Sequence, residues 1–250
     1  MKKLIAYFDY LGFKDFIEKN DLDFQIRIMN NNFRDIEDGI AHGEHRKSTR
    51  GGYVADLSKS TLNAINFSDT IVIWSKDDSL DSFLELIKAS FRFNHRSVTM
   101  TFPIRGMIVL DELESVAFNY TNDVGGTYNI NSVFGKGLVK AHVQAEQQQW
   151  AGTVISEEVI DKFKSEGVDI DQVLEPYAQR YKVPYKPPFD IPYEEYALKL
   201  VTGINDEFFK NVSNGITENF SQYNKDATHT STQEKLANTI AYLGSHQRVD

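Results

Sequence analysis

The sequence of 250 residues contains no cysteine, which excludes disulfide bonds and thiolate metal sites. Positive charge is also scarce: 27 basic residues against 36 acidic ones give a net charge of -9, which argues against a broad nucleic-acid-binding face. No apolar run approaches the length of a membrane span, and the run Leu4–Phe8 is too short for the core of a signal peptide. We therefore expect a soluble, cytoplasmic protein that binds neither nucleic acid nor a membrane.

Proline is rare, and its distribution divides the chain. Five of the six prolines fall between Pro176 and Pro192, in a stretch whose sequence is typical of extended backbone. The apolar fraction of 41% is ordinary for a globular protein with a substantial core. We expect a core domain over residues 1–160 and an extension over residues 161–250 that packs on the core or on a partner subunit.

The spacing of apolar residues predicts an α+β fold. The predicted strands cover residues 3–8, 62–74 (as one strand or a pair), 104–109 and 153–155, with 115–120 as a candidate returning strand. The predicted helices cover residues 14–41, 80–91, 137–149 and 236–243, whereas 42–60 is predicted to be a loop and 214–232 an exposed polar segment. This order is that of a split βαβ, ferredoxin-like domain with helices on one face of a mainly antiparallel sheet.

Two aspartates lie at the ends of apolar runs. Asp9 follows Leu4–Phe8, and Asp69 precedes the run from Thr70 to Ile73. If the two runs are neighbouring buried strands, both carboxylates come within reach of one divalent cation, which prefers hard oxygen ligands. Alternatively, each aspartate caps a helix or a turn.

The turn after Asp9 is a candidate phosphate site. Gly12 and Phe13 lead into a helix-like stretch, and the free amides at a helix start attract phosphate oxygens. Gly12 allows a close approach of the backbone, and Lys14 either contacts a phosphate or is solvated. The alternative is an ordinary strand-to-helix turn.

These residues resemble motifs of the class III nucleotidyl cyclases, and most closely those of the bacterial pyrimidine cyclases of Pycsar antiphage defence. The resemblance covers roughly residues 3–160 in four ordered motifs. They are Asp9 to Lys14 (Asp-x-x-Gly-Phe-Lys), Phe67-Ser68-Asp69, Arg105-Gly106 and Gly135-Lys136-Gly137-Leu138-Val139. The resemblance implies a palm-type cyclase core, in agreement with the predicted order of elements.

The resemblance also implies the chemistry. A ribose 3′-hydroxyl attacks the α-phosphorus of a nucleoside triphosphate in line, with two Mg²⁺ or Mn²⁺ ions per site held by Asp9 and Asp69. The backbone carbonyl of Tyr10 would complete one ligand shell. Arg105 either binds the triphosphate or pairs with a structural carboxylate such as Glu112 or Glu114.

The predicted helix over 137–149 carries the candidates for transition-state stabilisation. Purine cyclases place an Asn and an Arg four residues apart on the matching helix, and the corresponding residues here are Lys140 and Gln144. Four residues apart means one helical face. Lys136 is a competing candidate, and a solvated helix face is the alternative.

The base-reading residues of adenylyl cyclases are absent. The positions that match their Lys and Asp are Ile65 and Val133, which cannot read an adenine edge. Asn66 and Tyr53 are the remaining candidates for contact with a base, and the favoured alternative for Tyr53 is an ordinary loop aromatic. The resemblance to the Pycsar cyclases, and not any spacing, implies UTP or CTP as substrate, with UTP favoured. It also implies cUMP or cCMP as a second messenger for a separate effector protein.

Class III cyclases form head-to-tail dimers, so the resemblance implies a homodimer with two sites at the subunit contact. Asp9 and Asp69 of one chain would face Lys140 of the other. Two other functions stay open: a purine cyclase that uses ATP or GTP, and an inactive cyclase-like module that binds nucleotide and dimerises.

Overall fold

A computed structural model describes residues 2–100 and 102–246. Its strands are β1 (Lys2–Tyr10), β2 (His45–Lys47), β3 (Tyr53–Ala55), β4 (Asn63–Phe67), β5 (Thr70–Trp74), β6 (Ile104–Glu112), β7 (Glu114–Thr121), β8 (Thr127–Phe134), β9 (Thr153–Ile155), β10 (Ala178–Tyr181) and β11 (Glu195–Leu198). Its α-helices are α1 (Phe13–Lys19), α2 (Leu22–Ile40), α3 (Leu80–Met100), α4 (Lys136–Gln147), α5 (Glu157–Ser165), α6 (Ile170–Leu174), α7 (Asp206–Gln222) and α8 (Thr230–Gly244).

Seven strands form one sheet in the order β10-β11-β9-β6-β1-β5-β4. Every pairing in it is antiparallel except that of β6 with β9. The predicted α+β class with a mainly antiparallel central sheet is therefore confirmed. None of the helices among the described residues is both long enough and apolar enough to cross a membrane.

Helices cover both faces of the sheet, so the prediction of helices on one face was wrong. Leu4, Ala6 and Phe8 of β1 join one buried cluster with residues of α2, α3 and α5, whereas Ile5 and Tyr7 join a second cluster with residues of α4, α7 and α8. Side chains of a strand alternate between the two faces, and an uninterrupted apolar run such as Leu4–Phe8 is typical of a strand that is buried on both.

The segment beyond residue 160 contributes to the same sheet. Strands β10 and β11 pair with each other, and β11 also pairs with β9. The predicted extension therefore adds two strands to the same sheet as the core. Its helices α7 and α8 pack against one face of that sheet. Residues 247–250 of the expected extension lie outside the described residues.

Two other pairs of strands stand apart from the main sheet. Strands β2 and β3 form a hairpin inside the segment predicted to be a loop, and β7 pairs with β8 around a turn over residues 122–126. The predicted helix over 14–41 is two helices, because the side chain of Asp21 caps α2 by accepting a hydrogen bond from the amide of Phe24 at 2.8 Å.

Candidate functional site

The fold brings Asp9 and Asp69 together. Asp9 is near the end of β1 and pairs in register with Thr70, the first residue of β5. Asp69 immediately precedes β5 in the β4–β5 turn, and its carbonyl accepts a hydrogen bond from the amide of Tyr10 at 3.0 Å. The two candidate metal ligands therefore lie on neighbouring strand ends. Neither residue begins a helix, so neither is a helix cap. Asp69 lies in a turn, so the alternative of a turn-stabilising role stays open for it.

Arg105 forms an ion pair with one carboxylate oxygen of Asp9. It is opposite Asp9 on β6, and its Nη2 lies 2.6 Å from Asp9 Oδ2. The same nitrogen contacts the carboxylate of Glu146 on α4. Arg105 is 4% exposed and the Asp9 side chain 15%. Arg105 thus pairs with the structural carboxylates of Asp9 and Glu146, whereas Glu112, one of the partners considered from the sequence, lies 3.2 Å from Lys136.

The electrostatics of Asp9 reflect this crowded position. Burial raises the pKa of Asp9 above its ordinary value, and the nearby charges of Asp69 and Glu146 raise it further, whereas the charge and hydrogen bond of Arg105 lower it. Asp69 has no hydrogen-bond or ion-pair partner for its side chain within residues 2–100 and 102–246. Its carboxylate is therefore available to a ligand.

The donor set fits a divalent cation that arrives with a polyphosphate. Over the described ranges, no group of three or more His, Cys, Asp or Glu side chains is arranged to hold a metal ion. Mg²⁺ is commonly bound by only one or two carboxylates, with phosphate oxygens and water completing the shell. Asp69 and the second oxygen of Asp9 meet that requirement, provided that Arg105 shares or releases Asp9.

Glycine is required at two positions next to these residues. Gly12 has a φ of +73°, the left-handed region, and a Cβ there would come within 2.9 Å of the Lys225 side chain. On Gly106, a Cβ would lie 2.7 Å from both Phe8 Cδ1 and Thr153 Oγ1. The Gly12 turn and the Arg105-Gly106 pair therefore have structural reasons for glycine that are independent of any substrate.

The segment after α7 packs against the candidate phosphate-binding turn, whose Gly12 stays exposed. Lys225 is 5% exposed, and its ammonium lies 2.9 Å from the centroid of the Phe102 ring. Burial lowers the pKa of Lys225 well below its ordinary value. Phe13 packs in the same aromatic group, 6.4 Å from Phe102 between ring centroids, whereas Lys14 is exposed and lies 3.9 Å from Glu18.

The three candidates on α4 do not contact Asp9 within the described part of the chain. Lys140 pairs with Glu158 of α5, and Lys136 lies 3.2 Å from Glu112. Gln144 Oε1 is buried without a hydrogen-bond partner among those residues. Their role in the site of a second chain stays a prediction.

The positions matched to base recognition lie in one cavity. A cavity of about 310 Å³ beside the β4–β5 hairpin is lined by Ile65, Val72, Val133 and Leu138, with Thr70 and Asn131 among its few polar residues. Its walls are thus mainly apolar.

Asn66 and Tyr53, the other base candidates, are elsewhere. Asn66 pairs with Ile71, so it shares the opposite face of the sheet from the cavity, and its amide donates to the Thr70 carbonyl at 3.2 Å. Tyr53 is on β3 beside a different cavity that Arg92 and Arg96 also line. Within one chain the structure does not bring Tyr53 to Asp9.

Three charged residues near Asp9 were missed from the sequence: Glu146, Lys186 and Lys235. Lys186 Nζ lies 3.8 Å from Glu146 Oε2, and Lys235 is close enough to Asp9 and Arg105 for their charges to shift its pKa. All three reach the site through tertiary packing of distant segments. No local motif in the sequence signals that packing.

Comparison with known proteins gives similarity at the level of structure alone. No family model and no curated protein matches the sequence. Similar solved structures include the adenylyl cyclase CyaB from P. aeruginosa, at 11% identity and a TM-score of 0.44 over 79% of this chain and 94% of that one. Another is the guanylyl cyclase domain of the RhoGC fusion protein from the aquatic fungus Blastocladiella emersonii, at 11% identity and a TM-score of 0.45 over 79% and 93%. Likeness of this degree assigns neither an activity nor site residues.

Proposed function

We propose that the protein is a pyrimidine nucleotide cyclase that converts UTP, in preference to CTP, into the 3′,5′-cyclic monophosphate and pyrophosphate. The observation that carries the proposal is the meeting of Asp9 and Asp69 on adjacent strand ends, with the side chain of Asp69 unpaired among the described residues. The four ordered cyclase-like motifs of the sequence support the same conclusion.

The chain's own residues would divide the work as follows. Asp9, Asp69 and the carbonyl of Tyr10 hold Mg²⁺ or Mn²⁺, two ions per site, which supply activation of the ribose hydroxyl and charge neutralisation at the leaving pyrophosphate. Arg105, drawn from Asp9 by the triphosphate, binds its oxygens. Lys140, Lys136 or Gln144 of a second chain stabilise charge at phosphorus, a contribution typically worth about 2–4 kcal/mol for one donor.

The cavity beside Asp69 supports the choice of a pyrimidine. Ile65 and Val133 line this cavity. At the matching positions, the adenylyl cyclases that this chain resembles carry a Lys and an Asp that read the base. At these two positions apolar side chains offer an adenine edge no hydrogen bond. The amide of Asn131, which can both donate and accept, is a candidate contact for whichever base is bound. Gly12, Phe13, Lys14, Asn66 and Tyr53 stay candidates for substrate contacts.

A homodimer is part of the proposal. Val116, Phe118 and Tyr120 form a stripe on one face of β7, and each is 46–54% exposed. A second copy of the chain is the proposed cover of this stripe, in the head-to-tail arrangement that the family resemblance implies. Mixing Asp9→Ala with Lys140→Ala chains should then restore activity, because one of the two sites in the mixed dimer is intact.

The proposed biological role follows the Pycsar resemblance. The cyclic nucleotide would act in the cytoplasm as a second messenger of antiphage defence and would be read by a separate effector protein. An inactive nucleotide-binding module is the second candidate, and the ion pair of Arg105 with Asp9 is the observation that favours it.

Product analysis with the four ribonucleoside triphosphates and Mn²⁺ tests the proposal. The wild-type protein should form cUMP and pyrophosphate, and Asp69→Asn should abolish the product while the protein stays folded, because Asp69 has no described partner to lose. Asp161→Asn, on the exposed side of α5, is the matched control and should retain activity. Cyclic product from ATP or GTP alone would contradict the pyrimidine assignment, and nucleotide binding without any product would favour the inactive module.

A further inference from the structure

The C-terminal helix α8 is fixed against the segment that follows α4. The side-chain amide of Gln149 donates to Glu234 Oε2 at 2.8 Å and to Ser231 Oγ at 3.3 Å. In return, the Asn238 amide donates to the Gln149 carbonyl at 2.8 Å, and the Ala151 amide donates to Thr239 Oγ1 at 2.7 Å. These bonds hold one face of α8 next to the end of α4, where Glu146 contacts Arg105.

Lys235 lies on that face. It is four residues from both Ser231 and Thr239, and side chains four apart on a helix are neighbours. The Lys235 side chain is half-buried and has no hydrogen bond or ion pair with any residue of the described ranges. Burial lowers its pKa, and the nearby charges of Arg105 and Lys186 lower it further, whereas Glu146 and Asp9 raise it.

The surrounding charges leave Lys235 without a counterion. Arg105 forms ion pairs with both Asp9 and Glu146, and Lys186 also lies within ion-pair distance of Glu146. A half-buried ammonium without a partner is costly, and charge-assisted hydrogen bonds to phosphate are among the strongest that it can form. An anion that enters beside Asp9 would therefore meet three cationic groups, those of Arg105, Lys186 and Lys235.

We infer that Lys235 binds the triphosphate of the nucleotide whose metal is held by Asp9 of the same chain, so that α8 completes the phosphate part of the site. This inference rests on the proposed function for the identity of the ligand. It assigns the C-terminal helices a direct place in substrate binding, in addition to their packing against the sheet.

Binding of inorganic tripolyphosphate, measured by calorimetry without nucleotide, tests the inference apart from turnover. Lys235→Ala should weaken binding about tenfold or more, the typical loss for one charge-assisted hydrogen bond, and Lys235→Arg should retain most of the affinity. Lys210→Ala, which removes an exposed lysine of α7, is the control and should bind like the wild type. Equal affinity of Lys235→Ala and wild type, or no binding by the wild type, overturns the inference.

Kinetics separate this inference from the proposed function. If the wild type makes a cyclic nucleotide, Lys235→Ala should raise KM about tenfold or more without lowering the unfolding temperature. An unchanged KM refutes the role of Lys235 and leaves the cyclase proposal intact. Conversely, Lys235-dependent tripolyphosphate binding without any cyclic product refutes the cyclase and keeps the phosphate site.

Subunit mixing tests whether Lys235 acts in its own chain. In mixtures of Asp9→Ala and Lys235→Ala chains, the site with an intact Asp9 also carries the altered Lys235. The apparent KM should therefore stay that of Lys235→Ala. Recovery of the wild-type KM would place Lys235 in the partner's site and overturn the same-chain assignment.

Discussion

Replacing Arg105 by alanine is the sharpest test of the charge arrangement around Asp9. Arg105 is 4% exposed and touches two carboxylates, those of Asp9 and Glu146. Removing the guanidinium leaves the carboxylate of Asp9, whose side chain is 15% exposed, without the Nη2 atom that lies 2.6 Å from its Oδ2. The Glu146 side chain is 46% exposed, so water can replace the lost partner there.

The expected loss follows from this difference in burial. Breaking a buried ion pair on one side typically costs about 3–5 kcal/mol, because the remaining charge is desolvated and unpaired. Since Asp9 keeps some contact with water, we expect Arg105→Ala to lower the free energy of unfolding by about 3 kcal/mol at pH 7. The pKa of Asp9, already raised by burial, should rise further without Arg105.

The stability cost of Arg105→Ala depends on pH. A carboxyl whose pKa is raised in the folded state holds more protons folded than unfolded, so stability is lost as pH rises through the folded pKa. The cost of Arg105→Ala should therefore shrink as pH falls toward 4. Urea unfolding at several pH values measures it, and Arg50→Ala, at an exposed loop arginine, is the control.

A double variant isolates the pair. Adding Asp9→Asn to Arg105→Ala removes the uncompensated charge and should recover part of the lost stability. A loss below 1 kcal/mol in Arg105→Ala, or no recovery in the double variant, would refute the reasoning that Arg105 neutralises a buried Asp9.

Two further predictions concern other parts of the molecule. His246 accepts a hydrogen bond from the Leu200 amide at 2.8 Å and has its pKa lowered to about 4, chiefly by burial, so the unfolded state binds more protons between about pH 6.5 and 4. The free energy of unfolding of the wild type should thus fall by about 2 kcal/mol between pH 7 and 5. A folded His246→Gln variant should not show this loss. Urea unfolding measures both, and equal losses would contradict the prediction. Phe118→Asp should weaken dimerisation about thirtyfold or more, as measured by light scattering. Tyr193→Asp changes a similarly exposed aromatic residue and should not weaken it. Equal effects of the two changes would show that the β7–β8 hairpin is not part of the interface.

Much of the fold could be predicted because its pattern is local. The apolar run at Leu4–Phe8, the paired strands around Asp69 and the amphipathic helix from Leu80 follow from periodicity. Helix α7 was missed because its polar sequence shows few apolar positions: Val212, Ile216 and Phe220 are the buried ones, spaced four apart. Strand β8 was missed because most of its side chains are exposed.

The candidate site was predictable only in part. Asp9 and Asp69 stand out because a carboxylate at the end of an apolar run is unusual, and antiparallel pairing of those runs brings them together. The contacts of Arg105 with Glu146, and the approach of Lys235, depend on how α4 and α8 dock on the sheet. Such docking is set by side-chain packing between distant segments, which no spacing in the sequence encodes.

The central claim, that Asp9 and Asp69 share a divalent cation brought with a nucleotide, is most directly tested by Mn²⁺ binding in the presence of 3′-deoxy-UTP. This analogue lacks the attacking hydroxyl, so the complex cannot turn over. Electron paramagnetic resonance titration should show that Asp69→Asn weakens Mn²⁺ binding about tenfold or more, while Asp161→Asn binds like the wild type. Equal Mn²⁺ affinity in Asp69→Asn and wild type would contradict the account.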